Sequence, residues 1–198
     1  MLVPFPPTLR AEPDATHCRG TLMLSSMAKI RQHGHWDRYV AALGPEHLQT
    51  IQSSVAAVWL PIEIGIAHYR ACDSLGLPTE EIFALGGEVV HDLQRTFIGT
   101  VLKTASSGAG IGPLVGMQKF MSVYTRSIKG GGGRLLRIGP KDARVEFVGQ
   151  PLSAIRYFRI AYRGFIHAGC EFFAKRVVVA ELHAFGSATT VAYRLAWV

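Results

Sequence analysis

Arg134-Leu-Leu-Arg-Ile138, Gly139-Pro140-Lys141-Asp142 and Arg144-Val-Glu-Phe-Val148 follow one another in this chain, and their reading decides its fold. Pro140 and Asp142 favour chain reversal, and the short connection makes the two flanking runs antiparallel neighbours. A long amphipathic stretch, Ser153 to Lys175, comes next. Val177-Val-Val-Ala-Glu-Leu-His183 and Thr190-Val-Ala-Tyr-Arg-Leu-Ala-Trp197 then alternate around Phe185-Gly186-Ser187, which puts Val191, Tyr193, Leu195 and Trp197 on one face. The last third therefore reads hairpin, helix, hairpin.

Upstream the texture is helical. Leu22, Met23, Met27 and Ile30 are spaced for a helix that stops near Gly34, and Trp36, Tyr39, Val40 and Leu43 continue as a second one ending at Gly44-Pro45. A weaker third covers Glu46 to about Val58. Pro61 suits the first turn of a helix whose buried face is Ile62, Ile66, Tyr69 and Leu75. Thr79-Glu-Glu-Ile82 resembles a capped start, for a helix running to about Lys103 with Gly86-Gly87 and Gly99 as weak points. Ser106 to Gly112 reads as a loop. Pro113 opens the helix before the first hairpin, with Leu114, Met117, Phe120, Met121 and Tyr124 inward, and the glycines 130–133 release it.

A chain of 198 residues, 48% of them hydrophobic, is long enough for one sizeable core, so a single domain is expected over residues 20–198. Residues 1–19, with Pro4, Pro6, Pro7 and Glu12-Pro13-Asp14, read as a flexible arm. Those prolines also interrupt any start resembling a signal peptide, and three cysteines do not make a disulfide framework, which points to a cytoplasmic setting. No window approaches the ~18 apolar residues of a transmembrane helix. Residues 1–95 carry 7 Lys/Arg against 10 Asp/Glu, whereas residues 96–198 carry 14 against 4. So basic a C-terminal half attracts anions, an acidic protein partner among them.

From Tyr124 to the C-terminus, the helix, the Gly-rich break, the Arg134–Val148 hairpin, the long helix and Tyr193-Arg-Leu-Ala-Trp197 resemble an uncharacterised family known mainly from myxobacteria. Gly20-Thr-Leu-Met and the Leu60-Pro61 helix start are similar too. That family looks like the fold shared by haem-nitric-oxide-binding sensors, 4-vinyl-reductase-like domains and vesicle-tethering subunits. In the haem sensors a histidine on the helix before the hairpin holds the iron, and a Tyr-x-Ser-x-Arg motif holds the propionates. Here Pro113 to Lys129 contains no histidine, and the motif positions carry Phe147, Gly149 and Pro151. The resemblance thus implies a sensor-like fold without its haem. His91 and Met121 are the fallback iron ligands.

Other constellations are weighed against ordinary roles. His68 and Cys72 share one helix face and His167 and Cys170 another, so convergence would give a tetrahedral zinc set; buried cysteines and satisfied histidines are the plainer reading. Gly108-x-Gly110-x-Gly112 follows a helix rather than a strand and lacks a following Gly-Lys-Ser/Thr, so it reads as an interhelical loop. Arg156, Arg159 and Arg163 line one stripe of the C-terminal helix, with Lys175 and Arg176 at its end. They are candidate anion or partner contacts, or a solvated face. No nucleic-acid motif accompanies them, and no nucleophile elbow, metalloprotease helix or carboxylate pair suggests catalysis.

The fold class that follows is α+β, an N-terminal helical layer packed on a four-stranded antiparallel sheet with a helix inserted between its two hairpins. The expected function is a non-enzymatic sensory or regulatory binding module without a cofactor. Its cavity, between helical layer and sheet, takes an apolar small molecule or is simply packed shut, the module then acting through protein contacts; Met121, Tyr124 and His167 are the pocket candidates. The alternative is a dimeric scaffold docking an acidic partner through its basic half.

Overall fold

The structure, a computed structural model, describes residues 2–5, 14–54, 57–93 and 113–198. Its two C-terminal ribbons join into one sheet. Strands β5 (Gly132–Gly139) and β6 (Asp142–Val148) form the first hairpin, with Leu135 opposite Val145 and a bulge at Ile138. Strands β7 (Val177–Glu181) and β8 (Val191–Trp197) form the second, and β8 pairs with β6 so that Tyr193 lies opposite Val145. All of these pairings are antiparallel, and Leu135, Val145, Phe147, Tyr193 and Leu195 fill the inner face.

The sheet gains a fifth strand that the sequence reading missed. Strand β1 (Leu2–Phe5) pairs antiparallel with β5, giving the order β1-β5-β6-β8-β7. Pro4 is compatible with this because β1 is an edge strand, where one amide needs no ladder partner. The expected arm over residues 1–19 is corrected at its other end too. Strand β2 (His17–Arg19) sits between β3 (Trp59–Pro61) and β4 (Ile128–Lys129) in a second, three-stranded sheet. Ala15 and Cys18 are buried there, the Cys18 thiol close above Gly65. Residues 6–13 of the arm lie outside the described residues.

The helical layer follows the apolar spacing. Helices α1 (Gly20–Gln32), α2 (Trp36–Leu43), α3 (Pro45–Gln52), α4 (Ile62–Asp73) and α5 (Thr79–Leu93) precede α6 (Pro113–Ser127). α3 stops six residues short of the predicted Val58. The predicted continuation of α5 to Lys103 and the loop Ser106 to Gly112 lie outside the described residues. Between α6 and β5 the chain turns through Gly130 and Gly131 at φ +86° and +64°, and a Cβ on Gly131 would sit 2.8 Å from the Tyr124 hydroxyl.

The stretch read as one helix from Ser153 to Lys175 is broken. Pro151–Ala154 is a 3-10 turn, Ile155 is extended, and α7 runs Arg156–Cys170. Its first turn is capped from afar, because Asp73 at the end of α4 accepts a hydrogen bond from the Tyr157 amide at 2.9 Å. α7 covers the sheet on one side and packs on α5 on the other. There the backbones touch: a Cβ on Gly86 would meet the Ala161 carbonyl oxygen at 1.8 Å, and one on Gly164 the Phe83 carbonyl oxygen at 1.9 Å. Gly86, predicted as a weak point of α5, is therefore a contact point, and Gly99 lies outside the described residues. No described helix is long and apolar enough to cross a membrane.

Candidate ligand cavity

A cavity of about 60 Å³ lies among α1, α5, α6 and α7. Leu22 of α1, Leu85 and Val89 of α5, Val123 of α6 and Phe158 and Phe165 of α7 give it apolar walls. Phe158, Tyr162 and Phe165 form a stack of near-parallel rings along α7, with centroids 5.2 and 5.6 Å apart. Spacings of four and three residues put all three on one helix face. Contrary to expectation, no described residue of the five-stranded sheet lines the cavity, because α7 covers that sheet; Ile128 of β4, in the smaller sheet, does line it.

Polar atoms enter at two ends. At one, Gln150 donates from Nε2 to the Tyr124 hydroxyl at 3.4 Å while its Oε1 accepts from the Leu152 amide at 3.3 Å. At the other, Ser26 lies beside Tyr157 and Cys72. Behind Cys72 the chain of polar groups continues to His68, 3.8 Å from the thiol, and to the Tyr39 hydroxyl, 2.7 Å from His68 Nδ1. Burial sets the charge state of this group. It holds His68 down at about 3, and therefore neutral, and pushes the hydroxyls of Tyr69, Tyr124 and Tyr157 and the Cys72 thiol well up. Lys29 is the one cation in the lining among the described residues; its ammonium turns away to Asp92 at 2.7 Å and Glu88 at 3.7 Å.

Of the predicted pocket residues, Tyr124 lines the cavity. Met121 lies on α6 with its side chain outside the described residues. His167 is elsewhere, for its Nε2 faces the Val177 carbonyl at 3.0 Å and its ring packs edge-on against Phe83. His91, the fallback iron ligand, is exposed on α5. The zinc set does not assemble either. His68 and Cys72 touch each other, whereas Cys170 lies against the Met117 sulfur at 2.9 Å, and no group of three metal-binding side chains occurs among the described residues.

The arginine stripe of α7 is engaged along its whole length. Arg156 donates to the Leu77 carbonyl and the Thr79 hydroxyl, Arg159 pairs with Glu181 at 2.9 Å and donates to the Ser153 carbonyl, and Arg163 lies 5.1 Å from the Phe83 ring. Helical spacing aligned these residues correctly, but their partners come from other elements, which spacing within one helix does not reveal. Lys175 and Arg176 are exposed. The reading also missed Ser26, Tyr157 and Gln150, whose only signal was polarity at buried positions.

No protein-family model matches the chain, and a search of curated proteins finds no match. Among solved structures the likeness is to H-NOX domains, the haem-nitric-oxide/oxygen-binding class. The unliganded Fe(II) H-NOX protein of K. algicida matches with a TM-score of 0.65 over 91% of this chain and 96% of its own, at 7% identity. The I5F mutant of the T. tengcongensis H-NOX gives 0.56 over 90% and 97%, at 13% identity. An oxygen-binding H-NOX domain related to soluble guanylate cyclases gives 0.56 over 90% and 94%, at 14% identity. The chain therefore has an H-NOX-like α+β fold.

Proposed function

We propose that this protein is a non-enzymatic sensory or regulatory module whose cavity among α1, α5, α6 and α7 holds a small apolar molecule in place of haem. The observation that carries the reading is the lining. All eight histidines and three cysteines of the chain fall within described residues, and none of them lines the cavity. Size points the same way. At roughly 10–15 Å³ of such space per water, 60 Å³ accommodates about four to six waters, or about 120–180 Å³ of liquid. That suits one small ring, since a cavity of about 150 Å³ holds benzene; a porphyrin needs several times more.

The positions that match the propionate motif do not fit a haem either. Phe147 is fully buried between Tyr124 and Tyr162, at ring distances of 5.1 and 4.8 Å, and offers no hydrogen bond. Gly149 sits at φ +64°, where a Cβ would press on Gly131 at 3.1 Å. The myxobacterial-type family, with its kinship to 4-vinyl-reductase-like and tethering domains, belongs to this same proposal, on the strength of the Tyr124–Val198 pattern.

Toluene is the probe for the cavity. Titrated into the protein and followed by amide NMR, it is expected to give saturable shifts around residues 22–29, 85–89 and 157–165, which the cavity-filling Val89→Phe abolishes. Added haemin is expected to give no Soret band at one equivalent. Stoichiometric haem with a sharp Soret band would overturn the reading, as would the absence of any toluene response. The second reading, a dimeric scaffold that docks an acidic partner, rests on exposed Lys175 and Arg176 rather than on Arg159.

A further inference from the structure

A second cleft, of about 390 Å³, opens where the end of β7 meets the start of α7 and shares no lining residue with the cavity. Ser153, Arg159, Glu181, His183, Ser187 and Thr190 supply its polar groups, and Ala154 and Ala188 its small apolar walls. We propose that this cleft binds a neutral polyhydroxylated molecule, a polyol or a sugar residue.

The charge balance of the cleft selects against ions. Glu181, on the inner face of β7 with a side chain 13% exposed, takes Arg159 Nε at 2.9 Å, and His183 Nδ1 lies 3.2 Å from the same oxygen, Oε1. An anion entering the cleft meets this carboxylate, and a cation meets the guanidinium. A hydroxyl satisfies both, because it accepts from an N–H and donates to a carboxylate oxygen at the same time. Arg159 is also held in place for that role, with Nη1 donating to the Ser153 carbonyl at 2.9 Å and its own carbonyl accepting from the Tyr193 hydroxyl at 2.8 Å. Glu181 Oε2 stands beside the loaded Oε1 as an acceptor.

The second observation is independent of charge. Ser153 is 1% exposed, and its hydroxyl has no hydrogen-bond partner. Buried hydroxyls are almost always paired, and Ser153 lines the cleft, so a polar atom seated against this residue gives the enclosed hydroxyl its missing partner. Its neighbours are small, and Ala154, Gly186 and Ala188 leave room for the C–H faces of a polyol carbon chain. An apolar ligand would leave the Ser153 hydroxyl unmatched.

The test is an amide NMR titration of the full chain with xylitol and with methyl α-D-glucopyranoside, against sodium acetate and sodium phosphate. At least one of the two polyols is expected to give saturable shifts confined to residues 153–159 and 181–190, whether or not toluene is present. Ser153→Ala, which removes an unpaired hydroxyl and so keeps the fold, is expected to weaken that binding about tenfold. Glu181→Gln is expected to weaken it as well and to let acetate bind. No saturable shift with either polyol, saturation by acetate or phosphate in the wild type, or undiminished binding by Ser153→Ala would overturn the proposal. In the last case a water bound to Ser153 would account for the hydroxyl.

Discussion

At the scale of single residues, His68 shows how burial turns a titratable group into a structural one. It is completely buried, with the Tyr39 hydroxyl on Nδ1 and the Cys72 thiol near Nε2. Desolvation lowers it from the ordinary 6.5 to about 3 in the folded chain, so between those values the unfolded chain takes up a proton that the folded chain refuses. Stability from this group is complete above about pH 6.5 and is lost as the pH falls, by up to ~1.4 kcal/mol per unit. Urea unfolding at pH 7, 6 and 5 is expected to show a slope in the wild type that His68→Gln reduces by close to one proton. The His68 ring resonances are expected to stay those of a neutral imidazole at pH 5; a midpoint near 6.5 would sink the argument.

Helices and strands carry a different lesson, best seen where α5 crosses α7. Two glycines in that crossing let backbone meet backbone, and a methyl group on either has nowhere to go except by parting the helices. Gly86→Ala and Gly164→Ala are each expected to cost about 2–3 kcal/mol or more. Gly87→Ala, where a Cβ would find 3.7 Å on each side, is expected to be near neutral or slightly stabilising. Equal effects at positions 86 and 87 in a denaturant series would refute the crossing. From sequence these glycines looked like defects in α5, because helix propensity is local and the partner backbone is about 75 residues away along the chain. The alternating runs Arg144–Val148 and Val191–Trp197 were legible for the opposite reason: a period of two, with one face buried, is written into the run itself. β1, β2, β3 and β4 are two to four residues long and rely on neighbours for their pairing, so no period could betray them. The cavity suffered the same way. Tyr124 was recognisable on its helix, but Ser26, Tyr157 and Gln150 become neighbours only when four elements assemble.

Across the whole molecule the two halves of opposite charge do not neutralise each other. Among the described residues every ion pair joins partners within one half: Lys29 with Asp92 and Glu88 in the first, Arg134 and Arg144 with Glu146, Arg159 with Glu181 and Arg194 with Asp142 in the second. The carboxylates of the basic half are thus committed locally, and its surplus cations, Arg137, Lys141, Lys175 and Arg176 among them, stand exposed. Charge reversal then has opposite consequences at two places. The double change Lys175→Glu, Arg176→Glu is expected to move the unfolding free energy by less than about 0.5 kcal/mol, while lowering the salt needed to elute the protein from a cation exchanger. Arg159→Glu instead sets a second carboxylate against Glu181, whose side chain is only 13% exposed, and is expected to destabilise by about 2–3 kcal/mol. Loss of an acidic partner on Arg159→Glu would therefore report a damaged fold, whereas loss on the Lys175, Arg176 pair at unchanged urea midpoint would report a contact. If both variants eluted and unfolded alike, the division between a committed inner arginine and a free outer pair would be wrong.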